Sequence, residues 1–65
     1  LNPVKFLRAI RLNAVRRALK AADQRSGATV ADIAARWGFW HLSHFSAEYK
    51  AMFGELPSET LKRPD

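Results

Sequence analysis

A chain of 65 residues has room for one domain, near the lower limit for folding without staples, and with no cysteine it lacks a disulfide framework and the usual structural zinc sites. Its 48% apolar content, with four Phe, two Trp and one Tyr, supplies a packed core and excludes wholesale disorder. Eleven Lys and Arg against six Asp and Glu leave a net charge of +5, which favours a polyanionic partner, nucleic acid or an anionic membrane surface, unless the basic face serves solubility alone.

The imbalance is concentrated at the start, where Lys5, Arg8, Arg11, Arg16, Arg17 and Lys20 all precede the first acid, Asp23. No apolar run approaches the roughly 20 residues of a membrane span, and no signal-peptide pattern opens the chain. A cytoplasmic protein without a membrane role is expected. The chain opens on Leu1 rather than Met, so it reads as an excised fragment or a processed chain.

Pro3 suits the first turn of a helix, where its missing N–H costs nothing. No Gly or Pro follows until the loop after Ala22, and Ala, Leu, Arg and Lys dominate, so one long helix is expected over about 3–22. It carries two apolar stripes. Val4, Leu12, Val15 and Leu19 form one; Phe6, Leu7, Ile10, Ala14, Ala18 and Ala21 form a broader second. An ordinary amphipathic helix needs only one, so this helix calls for partners on two sides.

Residues 22–28 (ADQRSGA) read as a loop. Thr29 then opens a capping-box-like Thr-Val-Ala-Asp, with Asp32 in the usual Glu position. The short helix that follows buries Val30, Ile33, Ala34 and Trp37 at helical spacing. Gly38 ends it with positive φ, and Phe39 packs inward. A further helix begins near Trp40 or His41 and runs to Phe53, stopped by Gly54. Leu42, Phe45, Tyr49, Met52 and Phe53 share its core face; Trp40, Ser43, Ala47 and Lys50 lie opposite, with His44 and Ser46 at the edges. Pro57 starts a last short helix over about 57–63, Leu61 closes the core, and Pro64 stops the helix.

The fold class is therefore all-α, a single four-helix module over 1–65, with a long first helix and a helix-turn-helix over about 29–53. In such a unit the first helix braces the second, which projects its polar face into a groove about 12 Å wide. Small side chains at Ser43, Ser46 and Ala47 allow the backbone a close approach.

The stretch VADIAARWGFWHLSHFSAEYKAMFGELPSETL carries a distinctive series: Ile33-Ala34, Gly38-Phe39, Ser43-His44-Phe45-Ser46, Tyr49-Lys50, Phe53-Gly54 and Pro57. It closely resembles the second helix-turn-helix of AraC/XylS-type bacterial transcription regulators. PVKFLRAIRLNAVRRAL upstream is similar to that family's long connecting helix, with Arg11-Leu12 at the expected place. The resemblance covers nearly all of the chain. It implies double-stranded DNA as the partner, with the helix from His41 to Phe53 in the major groove. It also implies a first helix-turn-helix subdomain and a sensor domain outside this chain, and the former accounts for the second apolar stripe. Matched by position, Leu42, Ser43, Ser46 and Ala47 fall on the family's base- and backbone-reading sites. Ala47 stands where the family commonly has Arg, Leu42 where it is often polar, and Trp40 where it is small or charged. Apolar contacts to thymine methyls are accordingly expected to matter more.

Lys50, Arg36, Thr29, Arg8, Arg11 and Lys62, with Arg63, are the candidates for phosphate. Four of them have a plainer reading: a solvated cation for Lys50, a helix cap for Thr29, a structural role for Arg8 and Arg11. Trp40 is either a groove-side aromatic or a cover over the core edge, the second being slightly preferred. His41, His44 and Glu48 sit at helical spacing but are three weak donors on one exposed face, so no metal site is expected. No Ser–His–acid set has a pocket to work in, and no catalysis or cofactor is expected. Two competing functions remain: a module docking on RNA polymerase or a partner domain, and a cationic segment on anionic membranes. The Gly38 turn and the interleaved core aromatics specify a tertiary fold and weaken the membrane reading.

Overall fold

The computed structural model describes residues 2–22 and 27–62, and over these the chain is helical without strands. The expected loop residues Asp23 to Ser26, and Arg63 and Pro64 at the end, lie outside the described residues. Four helices follow in order: α1 (Pro3–Ala21), α2 (Val30–Arg36), α3 (Leu42–Phe53) and α4 (Pro57–Lys62).

Each helix starts and stops for a local reason. At the head of α1, Asn2 caps the first turn, its Oδ1 accepting from the N–H of Val4 (3.0 Å) and of Lys5 (3.4 Å) ahead of Pro3. Thr29 caps α2, its Oγ1 accepting from the Asp32 N–H at 3.1 Å. The end of α2 is a Schellman motif. The Phe39 N–H donates to Ala34 O and the Gly38 N–H to Ala35 O, both at 3.1 Å, and Gly38 takes φ +84°. Gly54 ends α3 in the same left-handed region, donating its N–H to Lys50 O at 2.8 Å. At the start of α4, the Glu59 carboxylate reaches back to the Leu56 N–H at 2.8 Å.

The core is built from Leu12, Val15 and Leu19 of α1, Ile33 and Ala34 of α2, Phe39 of the turn, and Phe45 and Tyr49 of α3. Trp37, Val30, Phe53 and Leu61 close around it. The rings form a continuous row. Phe39 and Phe45 have centroids 5.0 Å apart, Phe45 and Tyr49 5.8 Å, and Tyr49 and Phe53 4.6 Å, all tilted as the ring quadrupoles prefer. The Arg16 guanidinium lies 5.2 Å over the outer end of this row, at Phe53.

α4 is fastened to α3 by polar contacts. The Tyr49 hydroxyl donates to Thr60 Oγ1 at 2.7 Å, and the Thr60 hydroxyl donates to the Glu55 carboxylate. Burial pushes the Tyr49 phenol above its ordinary pKa, against the lowering effects of the Thr60 hydrogen bond and the nearby Arg16 charge.

Three expectations need correction. Val4 is 66% exposed and belongs to no buried stripe. It sits eight residues before Leu12, about 12 Å along the helix axis, at the first turn of α1 and away from the buried Leu12, Val15 and Leu19. Leu42 and Met52 are each 43% exposed rather than core. Leu42 is the first residue of α3, beyond the end of the ring row. Met52 faces a shallow hollow shared with Lys5, Ala9 and Leu12 of α1. The third correction concerns the start of α3 and Trp40. His41 is the N-cap, with extended backbone and no side-chain cap, and the helix begins at Leu42. In the short non-helical link Phe39 turns into the core, whereas Trp40 points out at 75% exposure, so it covers no core edge.

Candidate nucleic-acid interface

α2 and α3, joined by the Gly38 turn, form a helix-turn-helix. Phe39 and Phe45 clamp the turn to the core, which fixes how far α3 projects. With Phe45 and Tyr49 inward, residues at 43, 47 and 50 fall on the outer side of α3 at i, i+4 and i+7 spacing. Ser43, Ala47 and Lys50 are exposed there, Leu42 stands at the leading end, and Ser46 is half-buried at the margin. The first turn of α3 carries no acid, and Lys50 lies in its last turn. The outer face is thus small, polar and free of negative charge. A groove-facing helix requires those properties.

The phosphate candidates are dispersed over the surface. Arg8 is engaged internally: its Nη2 lies 2.6 Å from both carboxylate oxygens of Glu48, and its guanidinium lies 6.0 Å over Phe39. This half-exposed pair ties the first half of α1 to the flank of α3. Arg11 is exposed one turn further along and, with Arg8, Trp40, His41 and His44, lines a cavity of about 200 Å³. Arg36 is brought elsewhere, to a hollow beside Ala18, Ala21 and Ala22 at the far end of α1. Thr29 is exposed at the start of α2 and engaged as its cap. Lys62 is exposed at the end of α4.

Sequence reading missed the Arg8–Glu48 pair and the basic cavity, because their members are distant in the chain. The pair spans 40 positions, beyond any helical periodicity. Asn2, just before Pro3, carries the local signal of the α1 cap. Glu48, considered with His41 and His44 as a donor set, turns to Arg8, and the two imidazoles stand 5.7 Å apart. Among the described residues no group of three or more His, Cys, Asp or Glu is gathered in metal-binding geometry, and no helix is long and apolar enough to cross a membrane.

Fold and exposed face together define a helix-turn-helix module of the DNA-binding class. Residues 1–63 match the family model described as "Helix-turn-helix domain". The chain is 45% identical over 61 residues to the "Probable thc operon regulatory protein" of Rhodococcus erythropolis, covering 94% of this chain and 18% of that protein. It is 38% identical over 64 residues to the "XylDLEGF operon transcriptional activator" of Pseudomonas putida, covering 95% of this chain and 19% of that one. The chain therefore belongs to the AraC/XylS-type regulator family, as a helix-turn-helix half of its DNA-binding part. It spans less than a fifth of the length of these two relatives. No solved structure gives a significant match.

Proposed function

We propose that α3 enters the major groove of double-stranded DNA and takes part in choosing the operator of a bacterial transcription regulator. The observation that carries this reading is the outward face of α3, small and polar, held out by a row of four aromatic rings on its inner side. In this reading Ser43, Ser46 and Ala47 approach base edges, with Leu42 and Trp40 supplying apolar surface for thymine methyls. Lys50 contacts a phosphate, with Arg11, Arg36, Thr29 and Lys62 as further positions along the backbone. Arg8 joins them only by leaving Glu48. The module works in the cytoplasm of the cell, beside a first helix-turn-helix and a sensor domain in a longer protein, and performs no catalysis itself.

Position and specificity separate experimentally. With roughly three or four phosphates contacted, log affinity plotted against log salt has a slope of about −3 to −4. Lys50→Ala weakens all duplexes about equally and flattens that slope by close to one unit. Ser43→Ala or Ser46→Ala leaves the slope alone and changes preference at one base pair, by roughly 1–3 kcal/mol. The chain alone binds weakly, so the measurement is made at low salt and repeated in a complete regulator. Unchanged operator binding after replacing Ser43, Ser46 and Lys50 together shows that α3 is not the reader. Docking on RNA polymerase then becomes the better account.

A further inference from the structure

The cavity between α1 and the head of α3 has a composition that the base-reading face does not explain. Its volume is about 200 Å³, and Arg8, Arg11, Trp40, His41 and His44 contribute to its wall together with the buried ring of Phe39. No acid lines it. The Glu48 carboxylate is bound to Arg8 at 2.6 Å and offsets that charge. Arg11 is left as the cation without an ion pair among the described residues, and the two imidazoles add N–H donors 5.7 Å apart, ring to ring. The Trp40 indole, 75% exposed, also contributes to the lining. A hollow walled by donors and by no acceptor carboxylate suits an anion with several oxygens.

Its place decides which anion. The cavity adjoins the first turn of α3, the end from which Leu42 and Ser43 would meet base edges. A major groove about 12 Å wide is bordered by rows of phosphates, so a donor-lined hollow beside the leading turn lies where such a row passes. We infer that this cavity seats one phosphodiester of the bound strand, held by Arg11 with His41 and His44. The inference rests on α3 being the groove helix. It gives α1 a direct part in fixing the register of that helix, with the Arg8–Glu48 pair shaping the wall and the Arg11 guanidinium making the contact.

A charge-deletion cycle tests it. Methylphosphonate is placed singly at each backbone position of a bound duplex, and affinity is measured for the chain and for Arg11→Gln, Arg11→Lys and His44→Gln. The expected result is one position where the neutral linkage weakens the parent chain on the order of tenfold, an effect that Arg11→Gln abolishes. Arg11→Lys retains part of it and His44→Gln reduces it, while base preference is unchanged in all three. Circular dichroism confirms that each variant is folded. An Arg11→Gln profile identical to the parent's overturns the seat. If the cycle holds but Ser43→Ala leaves base preference intact, the seat stands and base reading by Ser43 does not. If no duplex binds even at low salt, inorganic phosphate followed by NMR decides. Shifts at His41, His44 and the Arg11 side chain that vanish in Arg11→Gln keep the cavity as an anion site, and their absence overturns it.

Discussion

Phe45→Ala probes the device that aims α3. Phe45 is 1% exposed, the second of four rings in the row, with Phe39 at 5.0 Å and Tyr49 at 5.8 Å. Truncating a buried Phe to Ala costs about 3–5 kcal/mol in lost transfer energy and cavity formation, and two aromatic neighbours place this site toward the upper end. A chain of 65 residues has roughly 3–10 kcal/mol in total, at 0.05–0.15 kcal/mol per residue. The single change thus removes most of the stability available. Urea unfolding followed by far-ultraviolet circular dichroism should show either no folded baseline or a midpoint moved close to zero denaturant. Phe45→Leu keeps most of the volume, so its loss should be clearly smaller than that of the alanine variant. A cooperative Phe45→Ala variant destabilised by less than about 1 kcal/mol would refute the reasoning, because α3 would then not be held by its rings.

The raised pKa of Tyr49 makes stability depend on alkaline pH. A phenol whose folded pKa exceeds its ordinary value of 10.0 stabilises the fold fully below that value and loses the contribution as pH rises through the folded pKa. Thermal melting should therefore fall above about pH 10, and Tyr49→Phe should remove this component at the cost of the Thr60 hydrogen bond; a variant with the same alkaline decline excludes Tyr49 as its source. The exposed first half of α1, with Phe6 at 58%, Leu7 at 47% and Ile10 at 48%, should drive self-association of the chain at high concentration. Sedimentation equilibrium should show a mass rising with concentration that Leu7→Glu with Ile10→Glu suppresses, and a strict monomer at millimolar concentration is the contrary result.

What was legible in the sequence was whatever is local in the chain. Pro3, Thr29, Gly38, Gly54 and Pro57 punctuate the four helices because each satisfies a backbone requirement within a few residues. The spacing of Phe45, Tyr49 and Phe53 gave the inner side of α3, and through it the outer side. Periodicity says which way a residue faces and not whether anything stands opposite. Val4 has the right phase for the Leu12–Val15–Leu19 stripe and is nonetheless 66% exposed. Leu42 and Met52 share the phase of the core face and are each 43% exposed, Leu42 at the leading end of α3 and Met52 beside an open hollow shared with α1. Trp40 was ambiguous because it lies in neither helix, and its outward direction follows from Phe39 being buried next to it.

The charge of α1 shows the same limit more sharply, and it bears on how the module would meet DNA. Its cations look equivalent as a basic run, yet their surroundings differ. Arg8 is held by Glu48, and Arg16 lies over Phe53, so both are engaged in holding the helices together. Arg11 lies between them in sequence and opens instead onto the cavity with His41 and His44. Net charge on one helix therefore overstates what is available to a polyanion, because part of it is already satisfied within the fold. What a strand of DNA would feel depends on the cations left without a carboxylate or a ring. Of the three arginines compared, Arg11 alone meets that condition beside the leading turn of α3, which makes it the most informative residue of α1 to replace.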